Sequence, residues 1–212
     1  IYSLPCRWRR AKYHDKVVRA YQQGFDAPAL LNNSEVIVSL TTFPPRISQL
    51  HLVLKSILWQ TYVPADIIVW LSEQEFPGRL NDLPEELRKL TANGVKFKFV
   101  PENFRSHKKY YYVFREYPDH KVITVDDDLI YPRNTIERLL SLSYQYPDTV
   151  CGNVIRKIRM DGNTFSVYRK WPKVFMMPVN SSLQNVAIGC GGIYYPSRWY
   201  GCLLYTSDAA DE

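Results

Sequence analysis

The chain has 212 residues, is 46% hydrophobic and 14% aromatic, and carries a formal net charge of +6. This composition suits one domain with a buried core, and the basic excess favours anionic partners such as nucleotides, phospholipid surfaces or nucleic acid. It excludes a transmembrane helix, because no apolar run approaches the roughly 20 residues needed to cross a bilayer, and the scattered cysteines indicate neither a disulfide framework nor a zinc knuckle.

Segments with strand and helix character alternate along most of the chain. Buried or alternating apolar runs predict strands at 36–40, 67–71, 95–100 and 122–125, and helical spacing predicts helices at 47–60, 83–90, 105–117 and 132–146. After Pro147 the pattern is mixed, with further short strands. This order predicts an α/β fold with a mostly parallel, Rossmann-like sheet flanked by helices, and ligands bind beyond the carboxyl ends of the strands in such sheets.

The two ends of the chain are interpreted separately from this domain, which we place at residues 34–201. Residues 1–33 are predicted to form a basic N-terminal extension. Residues 202–212 (CLLYTSDAADE) show no periodicity. A DNA string that resembles a transposon-type sequencing adapter encodes them almost completely, so we interpret them as an artificial tail. On that interpretation the chain is a fragment, incomplete at its C-terminus.

Three adjacent carboxylates, Asp126, Asp127 and Asp128, directly follow the fourth predicted strand. Unpaired, they would repel one another, and a partly buried charge is costly to desolvate, so something must compensate them. Alternate residues of an extended turn can face one metal ion, which makes Asp126 and Asp128 the natural ligands for Mg²⁺ or Mn²⁺ carrying a diphosphate. Acidic triplets also occur in calcium loops, in turns and as solvated acids, but the position at a strand end favours the metal.

Other polar residues follow the remaining predicted strands and so face the same edge. Arg46, after the first strand, either neutralises a diphosphate or is a surface residue at a helix start. Asn103 follows the third strand, and Lys108 and Lys109 open the next helix, whose N-terminus favours phosphate oxygens; an exposed basic turn is the alternative. Glu73, after the second strand, either helps to select a base or lies on the surface.

Six segments taken in order resemble a bacterial family of GT-A-fold glycosyltransferases, related to family 2 enzymes and often found among genes for capsule or lipopolysaccharide synthesis. The resemblance runs from about Glu35 to Gly201 and rests on the order and spacing of the segments. They are VSLTTFPPRI, LKSILWQT, IIVWLSEQEFP, SHKKYYYVFREYP, VITVDDDLIYP and GCGGIYYP.

The resemblance implies a nucleotide-sugar donor, a DXD motif at Asp126–Asp128, and Mn²⁺ or Mg²⁺ as cofactor. Asp128 is then the surest metal ligand, and Asp126 and Asp127 divide the remaining roles between the metal and the donor ribose. It also places three glycines near the donor sugar and acceptor: Gly189, Gly191 and Gly192. Together with the residues singled out by position, the expected donor-binding set is Thr41, Thr42, Phe43, Pro44, Arg46, Asn103, Lys108, Asp126 and Asp127.

The predicted function is metal-dependent transfer of a sugar from a nucleoside-diphosphate sugar to a polysaccharide or lipid-linked acceptor. No residue is supported as general base, and the further acidic motif of the family should lie beyond Gly201. The alternatives are another metal-dependent phosphotransfer or phosphate-cleaving enzyme and a non-catalytic nucleotide- or carbohydrate-binding module. We expect a cytoplasmic protein without a nucleic-acid partner. Peripheral docking at the inner face of the plasma membrane, through the basic N-terminal residues, is a further hypothesis.

Overall fold

The structure is a computed structural model that describes Arg19, Leu30, residues 34–175 and residues 179–208. The predicted N-terminal extension therefore lies almost entirely outside the described residues. The strands are β1 (Val36–Thr41), β2 (Asp66–Ser72), β3 (Val95–Val100), β4 (Lys121–Thr124), β5 (Cys151–Gly152), β6 (Val154–Lys157), β7 (Met160–Asp161), β8 (Thr164–Phe165), β9 (Lys173–Phe175), β10 (Asn185–Ala187) and β11 (Ile193–Tyr195). The α-helices are α1 (Leu50–Leu58), α2 (Glu85–Lys89), α3 (Lys108–Glu116), α4 (Thr135–Gln145) and α5 (Tyr200–Asp208).

A central sheet organises the described part of the chain, with strand order β3-β2-β1-β4-β11-β5. β1 to β4 are mutually parallel, whereas β11 runs antiparallel to both β4 and β5. β3 lies at an edge of the sheet, a position that suits its alternating sequence. The predicted α/β class, with a mostly parallel sheet flanked by helices, is therefore confirmed.

Both faces of this sheet are covered, because alternate residues of a strand point to opposite sides. On β1, Val36, Val38 and Leu40 pack in one core with α1, α2 and α4. Ile37, between them, packs in a second core with α3 and Tyr200 of α5. This double burial explains why β1 is apolar without interruption, as strands of parallel sheets usually are.

Three predicted helix starts are wrong by three residues. Arg105–His107 forms a 3₁₀ turn, so α3 begins at Lys108. Pro44–Gln49 forms a 3₁₀ turn, so α1 begins at Leu50. Pro132 lies in a separate turn before α4. Its carbonyl accepts hydrogen bonds from the N–H and the hydroxyl of Thr135, at 3.1 and 2.8 Å, and these bonds close that turn.

The C-terminal part of the described chain builds two smaller sheets, β10-β6-β9 and the hairpin β7-β8. At the end, α5 includes residues 202–208 of the expected artificial tail, and Leu203 and Leu204 pack against the second core. Residues 202–208 therefore take part in the fold, although we interpreted them as separate from the domain. Their artificial origin stays a prediction. Among the described residues, no helix has the length and apolar character to cross a membrane.

Candidate functional site

The carboxyl ends of β1 and β4 bring the first loop and the acidic residues together. The two strands are adjacent and parallel, with Ser39 opposite Thr124. Three residues beyond each member of that pair, the Thr42 hydroxyl donates a 2.7 Å hydrogen bond to Asp127 Oδ2. The register of the two strands therefore brings these side chains together. Their contact confirms that the two loops meet at one edge of the sheet.

Arg46 bridges two of the three carboxylates. Its Nη1 lies 2.8 Å from Asp127 Oδ1 and 3.1 Å from Asp128 Oδ2. The side chain of Asp127 is only 9% exposed, whereas that of Asp128 is 48% exposed. The hydrogen bond and the charge of Asp127 raise the pKa of Arg46, so the guanidinium stays charged. Arg46 therefore compensates mainly the buried carboxylate of Asp127, and to a lesser degree the exposed carboxylate of Asp128.

Asp126 is held by a different set of residues. Lys109 Nζ lies 2.6 Å from its Oδ1, and its backbone N–H donates a 2.8 Å hydrogen bond to the Tyr131 hydroxyl. A Cβ placed on Gly189 would lie 2.8 Å from Oδ1 and 3.0 Å from Oδ2. A larger residue there would displace the carboxylate, so Gly189 has a packing role beside the acidic residues.

Basic side chains of the protein thus contact all three carboxylates, which answers in part what compensates them. Among the residues the structure describes, no group of three or more His, Cys, Asp or Glu is arranged to hold a metal ion. However, Mg²⁺ sites that share substrate phosphates typically use only one or two protein carboxylates. Lys109 contacts one oxygen of Asp126 and Arg46 one oxygen of Asp128. The other oxygen of each lies outside these ion pairs, and metal binding by Asp126 and Asp128 stays a prediction.

A cavity of about 440 Å³ opens beside the acidic residues and draws on the loops after all four parallel strands. Seven of its lining residues belong to the expected donor-binding set: Thr41, Thr42, Phe43, Arg46, Asn103, Lys108 and Asp127. Three further lining residues were not expected: Glu75, Arg105 and Ser106. Pro44, Asp126 and Asp128 were expected to bind donor or metal but lie outside the lining of this cavity.

The wall of the cavity contains a buried ammonium group. The Lys108 side chain is 2% exposed, and its Nζ contacts Asn103 Oδ1 and lies 3.6 Å from Glu75 Oε2. Burial lowers the pKa of Lys108. Apart from its ion pair with Lys108, the buried Glu75 oxygen has no hydrogen-bond partner among the described residues. Lys108 and Glu75 therefore compensate each other at the cavity wall.

Tertiary structure separates residues that are neighbours in sequence. Lys108 faces the cavity, whereas Lys109 reaches Asp126. Glu73, for which the sequence suggested either base selection or a surface position, forms an ion pair with Arg79 at 2.6 Å. Glu75 reaches the cavity because the chain turns after β2, where the N–H of Glu75 donates to the Ser72 carbonyl at 3.1 Å. An acid three residues beyond the end of β2 was the available signal, and the turn decided which of the two acids faces the cavity.

Comparison with known proteins yields little. No protein-family model and no curated protein matches this chain. Among solved structures, a mannosyltransferase from Pyrobaculum calidifontis in complex with GDP-Man and Mn²⁺ is 16% identical, with a TM-score of 0.41, over 63% of this chain and 39% of that one. The match thus spans well under half of the mannosyltransferase. A likeness this distant carries no argument about function.

Proposed function

We propose that this chain binds a nucleoside-diphosphate sugar at the cavity and belongs to a glycosyltransferase. The observation that carries the proposal is a cavity of about 440 Å³ with basic walls, placed directly beside three adjacent carboxylates at the carboxyl edge of a parallel sheet. This is where α/β sheets bind ligands, and the volume falls in the range of about 300–1,000 Å³ of small-molecule sites.

The cavity suits the nucleoside diphosphate because it combines positive charge with one aromatic ring. Arg46, Arg105 and Lys108 line it, and guanidinium groups bind phosphate oxygens through paired, charge-assisted hydrogen bonds. Phe43, 39% exposed, offers a ring face on which a base can stack. In this proposal Glu75, which lines the cavity, accepts a hydrogen bond from the donor, while Thr42 and Arg46 keep Asp127 in place.

Asp126 and Asp128 would hold Mn²⁺ or Mg²⁺. When bound, such an ion stabilises the negative charge that a departing nucleoside diphosphate carries. Arg46 and Lys109 already pair with these two carboxylates, so a bound ion would take the place of these two positive charges. The two ion pairs, at 3.1 and 2.6 Å, keep the carboxylates compensated until then. We assign no general base, and the acceptor remains a polysaccharide or lipid-linked glycan.

A thermal-shift screen of nucleoside diphosphates and nucleotide sugars, each with and without Mn²⁺, tests the proposal. We expect stabilisation that requires both the nucleotide and the metal, and that Asp128→Asn abolishes. Asp119→Asn, at an exposed position after α3, is the matched control and should behave as wild type. If no nucleotide stabilises the protein, or if Asp128→Asn responds as wild type does, the site assignment is wrong.

A second measurement separates sugar transfer from phosphate cleavage. Release of inorganic phosphate from small phosphate esters, without any sugar acceptor, would favour the phosphate-cleaving alternative. We expect no such release. Metal-dependent binding of a nucleotide sugar in preference to the corresponding nucleoside monophosphate is the result that supports a glycosyltransferase donor site.

A further inference from the structure

One hairpin of the molecule exposes an unusual amount of apolar surface. Within nine residues, Met160 is 45% exposed, Phe165 69%, Val167 65% and Tyr168 49%. They make up four of the ten large hydrophobic side chains that are exposed in the described chain. Single exposed apolar residues need no explanation, but a contiguous group of them indicates an interaction surface. We call residues 157–173, which include β7 and β8, the hairpin patch.

The apolar side chains project from a hairpin with defined contacts to the rest of the fold. Met160 lies opposite Phe165 across the β7-β8 ladder, so the two side chains share one face. Arg156 anchors the base, because its Nη1 donates hydrogen bonds to the carbonyls of Tyr168 and Trp171 at 3.0 and 3.1 Å. At the tip, a Cβ on Gly162 would meet no atom within 4 Å, so the turn points into open space.

Positive charge surrounds these apolar side chains. Five basic residues of the patch are exposed: Lys157, Arg159, Arg169, Lys170 and Lys173. Its only acid is Asp161, whose ion pairs with Arg159 and Lys170 are long, at 3.7 and 3.8 Å, and largely exposed. Such pairs neutralise little, so the patch presents a net positive rim around an apolar centre.

We propose that the hairpin patch docks on an anionic lipid surface. Apolar side chains that enter the acyl boundary, ringed by Lys and Arg that attract acidic headgroups, are the combination that interfacial membrane binding requires. A nucleic acid would use the basic rim but would give the aliphatic Met160 and Val167 no apolar environment. This surface is separate from the cavity, and the inference does not depend on the proposed function.

Co-sedimentation of the full chain with vesicles tests this inference. One set of vesicles contains phosphatidylcholine alone, and another contains two parts phosphatidylcholine to one part phosphatidylglycerol, both at low salt. We expect binding to the anionic vesicles only. The double variant Phe165→Ser with Val167→Ser should reduce this binding at least about tenfold, because two side chains no longer enter the apolar layer. Lys157→Glu with Lys170→Glu should reduce it by a similar factor.

Two matched controls sit on other elements and should bind as wild type. Leu80→Ser removes an apolar side chain that is 45% exposed in the turn after β2, and Arg88→Glu reverses an exposed charge on α2. Circular dichroism confirms that each variant is folded. Three results would overturn the inference. They are absence of binding to anionic vesicles, binding that the hairpin variants leave unchanged, and self-association in sedimentation velocity that the same variants abolish.

Discussion

Replacing Arg46 tests how the acidic residues are stabilised. In Arg46→Ala, Asp127 loses a partner at 2.8 Å and Asp128 loses one at 3.1 Å. Asp127 keeps the hydrogen bond from Thr42, and Lys109 still contacts Asp126. The variant therefore leaves one nearly buried carboxylate without a cation, next to two others that repel it.

The exposure of the Asp127 and Arg46 side chains sets the size of the loss in stability. Breaking a fully buried ion pair costs about 3–5 kcal/mol, whereas an exposed pair contributes about 0–1 kcal/mol. The Asp127 side chain is 9% exposed but that of Arg46 is 46% exposed, so solvent screens the pair from one side. We therefore expect the free energy of unfolding to fall by about 1–2 kcal/mol, which lowers Tm by about 2–8 °C for a domain of this size.

Urea unfolding followed by circular dichroism measures this loss. Lys89→Ala is the matched control, because Lys89 pairs with Glu85 at 2.7 Å on α2 with both side chains more than half exposed. That variant should lose clearly less stability than Arg46→Ala, because solvent screens an exposed pair from all sides. Arg46→Lys should recover part of the loss, since one ammonium keeps the charge but not the planar fork of the guanidinium.

Adding Mn²⁺ extends the experiment to the proposed metal site. Arg46→Ala should gain more stability from Mn²⁺ than wild type does, because the ion then meets no competing cation at Asp128. Adding Asp128→Asn to the same variant should remove that gain. A loss for Arg46→Ala no larger than that of Lys89→Ala would refute the reasoning that Asp127 depends on Arg46.

Three further predictions follow from single contacts. Gly189→Ala should lower the free energy of unfolding by about 1–2 kcal/mol and weaken nucleotide binding in the thermal-shift screen, because the new Cβ displaces the Asp126 carboxylate. Ser39→Ala should cost about 1–3 kcal/mol in urea unfolding, because the buried Trp70 indole N–H loses its acceptor at 3.0 Å. Burial raises the pKa of the Cys151 thiol to about 11, so at mildly alkaline pH it should resist alkylation until the protein unfolds, as peptide mass spectrometry would record.

Each of these has a comparison within the chain. Gly201→Ala should be neutral, because a Cβ there meets no atom within 4 Å. Ser141→Ala changes an exposed serine on α4 and should cost little. The exposed Cys202 should be alkylated in the folded protein, in contrast to Cys151. If a variant or residue behaves in the same way as its control, the contact or burial on which that prediction rests is contradicted.

Most of the fold could be predicted from local pattern. The strand at 36–40 and the helix after it were recognisable because apolar spacing is a property of consecutive residues. The same holds for the strand at 95–100, whose apolar residues alternate along consecutive positions. The starts of α1 and α4 were misplaced because a proline can close a turn of its own before a helix begins.

The candidate site was predictable only in part. Strand ends pointed to Thr42, Asp127 and Asn103, because parallel strands all end at one edge of their sheet. Glu75 and Arg105 were missed, since each reaches the cavity through a turn; Arg105 even adopts a left-handed φ of 50°. The roles of Asp126 and Asp128 as metal ligands stay predictions.

The sequence by itself determined where apolar strands end and that three carboxylates stand at one of those ends. Those features depend only on residue order and on the cost of exposing apolar groups or burying charged ones. Only the tertiary structure decided which cations meet which carboxylates, with Arg46 at Asp127 and Lys109 at Asp126. The partners are 81 and 17 residues apart in the chain, and pairing over such separations is set by strand register and packing rather than by local pattern.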